Sequence, residues 1–165
     1  MNSLNYEPNI THRKLTKLEQ NGKLKAIVTQ NIDGLHQKAN SNNVLELHGS
    51  VLRNYCMKCN KFYGPEYIFN STGVPKCECG GIIKPDVVLY EEGLDNNIMM
   101  KSINAIRNAD LMIVAGTSLT VQPASGLINY FKGKNLVLIN KDSTPYDKIA
   151  NLVINSSLGT VFKQI

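Results

Sequence analysis

Four cysteines constrain the fold of this chain more than any other feature of its sequence. They are all the cysteines present, and they form two close pairs, Cys56-x-x-Cys59 and Cys77-x-Cys79. A tetrahedral Zn²⁺ ion takes four soft donors, and two close pairs on a short ribbon supply them without a large hydrophobic core. The pattern therefore predicts a structural zinc site that is closed by all four thiolates.

Two disulfides or four unrelated thiols are the alternatives to a metal site. The N-terminal residues lack the apolar segment of a secretory signal, so we expect a reducing compartment, which disfavours disulfides. Gly80 and Gly81 follow the second pair, and we expect them to let backbone N–H groups turn toward the thiolates. Residues 53–84 are predicted to form a zinc-binding module.

Size and charge narrow the classes of protein that remain. The chain has 165 residues, enough for one ordinary domain and a small appendage. No apolar run approaches the roughly 18 residues of a membrane span, so we expect no membrane partner and a cytoplasmic location. The net charge is +5, and the basic residues are scattered. A nucleic-acid partner is not expected, and a small basic nucleic-acid binder is only an alternative.

Helical and strand-like segments alternate on both sides of the cysteines. Periodicity and capping residues predict helices over residues 8–20, 33–39, 96–108 and 123–131, and a last one from about Gly159. Short apolar runs predict strands over residues 24–29, 44–47, 87–90, 111–115, 135–139 and 152–154. The sequence therefore predicts an α/β fold, with a helix-covered parallel sheet from residues 1–52 and 85–165 and the zinc module inserted between them.

Polar residues collect at the predicted carboxyl ends of four strands, where open parallel sheets bind ligands. The clusters are residues 30–33, His48-Gly49-Ser50, Gly116-Thr117-Ser118 and Asn140-Lys141. Small hydroxyl residues and a glycine after a strand present N–H groups that suit a phosphate, and Asn140 suits a ribose hydroxyl. A turn is the ordinary explanation of any one cluster. Four clusters at strand ends favour a ligand site over chance turns, and Asn31, Asp33 and His48 are predicted to converge on a single crevice.

His48 is the candidate catalytic base. It directly follows the predicted strand and precedes Gly49, at the mouth of the sheet. An imidazole titrates near neutral pH and accepts a hydroxyl proton. The alternative is a hydrogen-bonded structural histidine, which is also our interpretation of His12 and His36. Glu91-Glu92 is interpreted as a solvated loop, because adjacent residues of a strand point to opposite faces.

These residues resemble the sirtuin family of NAD-dependent protein deacylases, in its bacterial and archaeal branch. The resemblance extends from about Pro8 to the end of the chain. Besides the four cysteines, it is carried in the family's order and spacing by Gln30-Asn31-Ile32-Asp33-Gly34-Leu35-His36, Leu47-His48-Gly49-Ser50, Lys84-Pro85-Asp86-Val87-Val88, Gly116-Thr117-Ser118-Leu119 and Pro123-Ala124.

The resemblance implies a role for each candidate residue. His48 would be the general base, and Asn31 and Asp33 would be the other catalytic residues. Val88 and Tyr90 would flank the tunnel for the acyl-lysine stem. The residues implied to contact NAD are Gln30, Asn31, Ile32, Asp33, Gly116, Thr117, Ser118, Asn140, Lys141 and Leu158.

The implied reaction consumes NAD as a co-substrate and has an acylated-lysine protein as its partner. The acyl oxygen attacks the anomeric carbon of the ribose, nicotinamide leaves, and His48 helps the neighbouring hydroxyl to take over the acyl group. The products are free lysine, nicotinamide and O-acyl-ADP-ribose. ADP-ribosyl transfer is an alternative activity of the same scaffold. One departure is that the family's Phe-Gly-Glu reads Tyr90-Glu91-Glu92 here.

The family's first strand and its Gly-Ala-Gly phosphate loop have no counterpart in this sequence. The resemblance therefore implies a truncated Rossmann-like sheet that lacks groups which stabilise the pyrophosphate. A complementing N-terminal segment or a dimer mate would fill the gap. The alternative function is a catalytically inactive remnant that acts as a zinc-containing interaction module.

Overall fold

The computed structural model describes residues 5–165, so the first four residues of the predicted 1–52 region lie outside the described part. The α-helices are α1 Ile10–Gln20, α2 Leu35–Lys38, α3 Pro65–Phe69, α4 Asn96–Arg107 and α5 Leu158–Phe162. The strands are β1 Ile27–Thr29, β2 Val44–Glu46, β3 Gly49–Cys56, β4 Phe62–Tyr63, β5 Ile83–Val87, β6 Leu111–Ala115, β7 Asn135–Asn140 and β8 Leu152–Asn155. Two 3₁₀ helices, Ala124–Tyr130 and Asp147–Ile149, precede β7 and β8.

Side-chain caps fix the starts of the two long helices. The Asn9 side-chain oxygen accepts from the backbone N–H groups of Thr11 and His12 at 2.9 and 3.3 Å, and α1 begins there. Asp95 accepts from the N–H of Ile98 at 2.9 Å, which begins α4. Within residues 5–165, no helix has both the length and the apolar character that crossing a membrane requires.

The parallel strands form two separate sheets. β1 pairs with β2, and β6, β7 and β8 form a three-stranded sheet with β7 in the middle. Both sheets pack against one hydrophobic cluster, since Val28 of β1 and Met112 of β6 contact the same buried residues. Those residues come from the end of β2, from α4 and from the first 3₁₀ helix: Leu47, Ile103, Ile106, Ala124 and Leu127.

Within the described part of the chain, neither parallel sheet has a further strand beside it at either edge. Among residues 5–165, β1 pairs only with β2, and β6 pairs only with β7. On β6, Leu111 is 50% exposed and Ile113 is 38% exposed, and as alternate residues they lie on the same face of the sheet. Apolar residues of a parallel strand are normally covered on both faces. The predicted parallel α/β fold is therefore present, and over the residues that the structure describes its parallel strands form two sheets that do not pair with each other.

The cysteine module is an antiparallel ribbon in the strand order β4-β3-β5. β3 and β5 pair from Gly49 opposite Val87 to Cys56 opposite Ile83, with an irregularity between Ser50 and Asn54. The ribbon therefore begins directly after His48. The proposed module boundaries, at residues 53 and 84, fall along this ribbon, which continues to the end of β2.

Most predicted elements are confirmed, and two differences follow from the ribbon. β3 was not predicted as a strand, because its polar residues do not form an apolar run. The strand predicted over residues 87–90 is wrong, since β5 ends at Val87. Pro85 makes residues 84–86 look like a loop, but β5 is an edge strand, where a missing N–H is tolerated.

Candidate functional site

Three segments of the chain surround a cavity of about 740 Å³. They are the loop after β1, His48 after the end of β2, and the segment that begins at Val87, the last residue of β5. Residues 121–123 complete the wall. The residues of the wall that the sequence predicted as functional are Gln30, Asn31, Ile32, Asp33, His48, Val88 and Tyr90. The structure therefore brings together the residues implied to hold nicotinamide, its ribose and the acyl-lysine.

Backbone contacts hold the loop after β1 in place. The N–H of Val51 donates to the carbonyl of Ile32 at 3.0 Å, which ties the loop to β3. Asp33 Oδ1 accepts from the N–H of Leu35 at 2.9 Å, in a turn just before α2. Between them, Gly34 is left-handed with φ +70°, and a Cβ there would overlap the Leu52 side chain. The Asp33 carboxylate therefore has a structural contact as well as its predicted place in the cavity wall.

A hydrogen bond fixes the tautomer of His48. Its Nδ1 lies 3.0 Å from the carbonyl oxygen of Gln30. Because a carbonyl only accepts, Nδ1 carries the proton, and Nε2 is left as the acceptor of the neutral ring. A neutral imidazole in this tautomer can take a proton at Nε2. The same hydrogen bond also fits the structural alternative, so the geometry agrees with both interpretations of His48.

Gly49 allows the chain to enter the ribbon immediately after His48. It is left-handed with φ +74°, and a Cβ there would overlap the backbone oxygen of Asp86. The N–H of Val88 donates to the carbonyl of His48 at 3.1 Å. The close approach of these backbones joins the end of β2 to the segment after β5.

The predicted tunnel residues differ in exposure. Val88 is half-buried in the cavity wall, whereas Tyr90 is fully exposed at its rim. Glu91, which follows Tyr90, takes the left-handed conformation with φ +70°. The chain therefore turns sharply here instead of continuing β5.

Glu92 stabilises this turn. Its Oε2 accepts from the N–H of Leu89 and from Lys84 Nζ, both at 3.0 Å. The backbone hydrogen bond, and after it the lysine, lower the pKa of the Glu92 carboxyl. Glu91-Glu92 is thus part of an exposed turn, as the sequence interpretation held.

The other predicted NAD residues lie at the carboxyl end of the second parallel sheet and do not line this cavity. The N–H of Gly116 donates to the carbonyl of Ile139 at 3.0 Å. A Cβ on Gly116 would lie 3.0 Å from the Leu158 side chain. Asn140 is opposite Asn155 in the β7–β8 register. The structure therefore brings Gly116, Asn140 and Leu158 to one end of the β6–β7–β8 sheet.

Thr117, Ser118 and Lys141 complete this second group. Thr117 Oγ1 accepts from the N–H of Leu119 at 3.2 Å, and Ser118 Oγ lies 2.7 Å from Thr120 Oγ1. Lys141 is exposed. These are the contacts of a polar turn, and they leave the phosphate-binding role of the segment a prediction. The four clusters thus form two groups, one on each parallel sheet.

The four cysteines are gathered as the zinc prediction requires. All four sulfur atoms lie within 4.8 Å of one another. Cys56 and Cys79 are 3.5 Å apart, Cys59 and Cys77 are 3.6 Å apart, and Cys59 and Cys79 are 3.4 Å apart. Zn–S bonds of about 2.3 Å in a tetrahedron place sulfur atoms about 3.8 Å apart. The cluster fits a structural Zn²⁺ ion, and its cysteines are free, not joined in disulfides.

The donors around the sulfur atoms differ in part from the prediction. The N–H of Lys58 lies 3.4 Å from Cys56 Sγ, whereas the N–H of Gly80 donates to the Cys77 carbonyl. Gly81 is needed for space, since a Cβ there would lie 2.6 Å from Cys56 Sγ. The backbone N–H group of Lys58 therefore does turn toward a sulfur atom, while Gly81 supplies the space beside it.

A tyrosine that the sequence reasoning missed lies against the cluster. The Tyr63 hydroxyl donates to Cys77 Sγ at 3.0 Å. This hydrogen bond is the first cause of the low pKa of the Cys77 thiol, which is lowered to about 6. The available signal was an aromatic hydroxyl four residues after Cys59, inside the predicted module.

Several apolar residues of the cavity wall were also missed: Val87, Leu89, Leu94 and Val121. They flank residues that the sequence did single out, so their signal was proximity along the chain. Their place in the wall depends on how β5 ends and on where the first 3₁₀ helix begins. Neither the end of β5 nor the start of this 3₁₀ helix is marked by an apolar run in the sequence.

The curated relatives that this chain matches are longer than the chain itself. An NAD-dependent protein deacetylase from Clostridium perfringens is 64% identical over 163 residues, which is 98% of this chain and 67% of the relative. A protein of the same name from Clostridium acetobutylicum is 61% identical over 161 residues, which is 96% of this chain and 66% of the relative. The chain thus spans about two thirds of the curated relatives it matches.

Solved structures agree with these relatives in fold. The chain superposes with a TM-score of 0.92 on a structure described as a Sir2–p53 peptide–NAD⁺ complex, with 40% identity over 98% of this chain and 70% of the other. A second, described as Sir2 bound to acetylated peptide, also gives a TM-score of 0.92 at 40% identity, over 98% of this chain and 71% of the other. A model of the Sir2 family matches residues 1–123. The chain belongs to the Sir2 family.

Proposed function

We propose that this chain supplies the catalytic and zinc-binding part of an NAD-dependent protein lysine deacylase. The observation that carries the proposal is that His48, the 30–33 loop and Val88 surround one cavity of about 740 Å³. That cavity has polar groups on one side and an apolar segment after β5 on another. Such a site suits a polar cofactor end beside the apolar stem of an acyl-lysine.

The proposed roles follow the chemistry of each group. His48, with Nδ1 held by the Gln30 carbonyl, is the base that accepts a ribose hydroxyl proton at Nε2. Gln30, Asn31 and Asp33 orient the nicotinamide and its ribose with amide and carboxylate groups. NAD supplies the electrophilic sugar carbon when it is bound. The half-buried Val88 packs against the methylenes of the acyl-lysine, and the exposed Tyr90 contacts the substrate at the rim.

The residues at the end of the β6–β7–β8 sheet are proposed to bind the other half of the cofactor. Gly116, Thr117 and Ser118 are at a strand end, where N–H and hydroxyl groups suit phosphate and ribose oxygens. Asn140, Lys141 and Leu158 border the same end and are assigned to the adenosine. A dinucleotide would then bridge the two parallel sheets, with its nicotinamide end in the cavity.

We also propose that this activity needs a further strand between β1 and β6. Among residues 5–165 both strands have an unpaired edge, and both pack on the same hydrophobic cluster. A parallel strand placed there would pair with the free edge of β6 and bring a third loop to the sheet's carboxyl end. A complementing N-terminal segment is the proposed source of this strand, and a dimer mate is the alternative source.

Nicotinamide release from NAD, with an acetyl-lysine peptide present, tests the proposal. The chain is assayed alone and together with the part of the Clostridium perfringens relative that it does not match. We expect little release from the chain alone and much more on complementation, with none from His48→Ala under either condition. A folded, zinc-loaded mixture that releases no nicotinamide would support the inactive interaction module instead.

A cytoplasmic location is proposed on the state of the cysteines. Four free thiols that fit a metal require a reducing compartment, because an oxidising one would convert the close pairs to disulfides. Fractionation of cells that express the chain, followed by zinc analysis of the recovered protein, checks this location.

A further inference from the structure

We propose that Tyr63 is a positioning residue of the zinc site, and that its hydroxyl orients the Cys77 thiolate toward the metal. The hydroxyl oxygen lies 3.0 Å from Cys77 Sγ. A metal-bound thiolate only accepts hydrogen bonds, so the phenol is the donor. The inference concerns the metal site alone and stands apart from the proposed deacylase activity.

Because Cys77 is buried, the hydrogen bond from Tyr63 stabilises its thiolate charge more than a similar hydrogen bond would stabilise an exposed ligand. Cys77 is 5% exposed and Cys56 is 2% exposed, whereas Cys59 and Cys79 are exposed to solvent. Four thiolates around Zn²⁺ leave a net charge of about −2 on the cluster. Water can solvate the two exposed sulfur atoms. The buried Cys77 depends on protein donors to stabilise its share of that charge.

Packing and strand pairing hold the ring of Tyr63 in place within the ribbon. Tyr63 is 8% exposed and packs with Cys56, Cys77 and Ile83 in the small core of the ribbon. Its backbone is paired opposite Asn54 of β3, whose side-chain amide donates to the Tyr63 carbonyl at 3.4 Å. A hydroxyl held by strand pairing and packing can set the direction of the sulfur lone pair.

Tyr67 is a matched control within the same module. Its hydroxyl donates to the backbone carbonyl of Lys76 at 2.8 Å, not to a sulfur atom. Its ring centroid lies 4.6 Å from that of Tyr63, so both rings belong to one patch. Replacing either tyrosine by phenylalanine removes one hydroxyl and keeps the ring. Only Tyr63→Phe removes a hydrogen bond to a metal ligand.

Zinc affinity is the first measurement, made on the full chain by competition with a chromophoric chelator. We expect Tyr63→Phe to bind zinc roughly 10- to 100-fold more weakly than the unaltered chain, the usual cost of losing a group that orients a ligand. We expect Tyr67→Phe to change the affinity by less than about twofold, because it touches no ligand. Equal affinities for Tyr63→Phe and the unaltered chain would overturn the proposal, as would equal losses in the two variants.

Cobalt substitution supplies a measurement that a purely structural role would not move. A hydrogen bond to a thiolate lowers the energy of its donor electrons, so its loss shifts the sulfur-to-cobalt charge-transfer band to longer wavelength. We expect that shift in Tyr63→Phe and not in Tyr67→Phe. Incorporation of a fluorinated tyrosine at position 63 keeps the ring and hydroxyl and strengthens the donor, so the band should move the opposite way. A band that stays fixed in both arms would overturn the proposal, even if Tyr63→Phe folded poorly.

Discussion

The zinc-binding ribbon and the parallel sheets differ in how completely the described chain closes them. The ribbon has its own buried cluster of Cys56, Tyr63, Cys77 and Ile83, beside a set of four sulfur atoms that fits one metal ion. In the parallel part, Leu138 of the central strand β7 is 1% exposed, but Leu111 of β6 is 50% exposed. The first unit is closed and the second is open along one strand.

The difference shows which kind of structure a short stretch of chain can finish alone. Antiparallel strands pair with near neighbours, and a metal replaces much of the core that a small module lacks. Parallel strands need crossover connections, so the strand beside β6 can come from far away in sequence or from another chain. We therefore expect closure of the ribbon to depend on zinc, and closure of the sheets to depend on an additional strand.

Removal of zinc is expected to have the largest effect and to act on the ribbon first. Binding of zinc by small thiolate modules contributes on the order of 10 kcal/mol of folding free energy, and the ribbon has only a small core without it. Purified chain should contain one zinc, and a strong chelator should abolish the near-ultraviolet signal of Tyr63 and Tyr67. Hydrogen exchange measured at the same time should rise more in β3–β5 than in β7.

The contrast between the two units would be wrong if the chelator raised hydrogen exchange equally in the ribbon and in the parallel sheets. The ribbon would then not be an independent closed unit, and the zinc would support the whole chain. Cys77→Ser is the matched variant, because it removes one ligand and keeps nearly the same volume. It should resemble the metal-free protein, and a Cys77→Ser protein that retained tight zinc and a protected ribbon would contradict the four-thiolate site.

Gly49→Ala is expected to have the next largest effect, because Gly49 lies where the two units join. It is left-handed with φ +74°, and a Cβ would overlap the Asp86 backbone oxygen, which cannot move without breaking the β3–β5 pairing. We expect the free energy of unfolding to fall by at least about 3 kcal/mol. Chemical denaturation of the zinc-loaded protein measures it.

Gly22→Ala is the control for Gly49→Ala. Gly22 has φ +70°, but nothing lies within 4 Å of the place where its Cβ would be. Only the backbone strain remains, so we expect a loss of about 1–2 kcal/mol. A Gly49→Ala protein no less stable than Gly22→Ala would show that the close backbone contact at the junction does not hold.

The same two units explain how much could be predicted from sequence. The cysteine cluster followed from spacing alone, because its ligands are close in sequence and zinc fixes their geometry. The cavity followed from strand order, because Asp33 and His48 lie four and two residues after neighbouring parallel strands whose carboxyl ends share one edge. Both predictions used short-range information.

The failures come from pairing that depends on distant partners. β5 includes Pro85, and its strand conformation depends on β3, which lies many residues earlier. The separation of Gly116 and Asn140 from the main cavity could not be predicted either. It depends on the parallel strands forming two sheets that do not pair with each other, and this is a tertiary property that no local pattern records.

A pH dependence of stability that is confined to the parallel part would further distinguish it from the zinc-binding ribbon. The rings of His12 in α1 and His36 in α2 are in contact, with centroids 4.7 Å apart and planes tilted by 59°. Burial lowers the pKa of both, His12 lowers the pKa of His36 further, and Asp33 opposes the shift in each. Their pKa values in the folded state lie below the ordinary value of about 6.5, so the unfolded chain takes up protons first. Stability is complete above pH 6.5 and falls as the pH drops from there toward the folded pKa values.

His36→Phe tests this pH dependence. His36 Nδ1 is buried and has no hydrogen-bond partner among residues 5–165, so an aromatic ring without nitrogen should pack in its place. Denaturation midpoints measured from pH 7.5 to 5 should fall less steeply for His36→Phe than for the unaltered chain. If the two curves of midpoint against pH run parallel, the His12–His36 pair does not cause the pH dependence of stability. Protonation of the zinc ligands would then be the explanation.

The smallest expected effect concerns the ion pairs that join the two units. Arg53 of β3 donates from Nη1 to Glu46 of β2 at 2.7 Å and from Nε to Asp86 of β5 at 2.8 Å. The Glu46 side chain is 9% exposed, so Arg53→Gln leaves it with reduced compensation. Because Arg53 itself is 39% exposed, solvent screening limits the loss to about 1 kcal/mol. Lys61→Gln breaks a pair with Glu78, which is 82% exposed, and should not change stability measurably. Equal effects of the two substitutions would mean that Arg53 does not couple the ribbon to the parallel sheet, and that the backbone contact at Gly49 is what joins them.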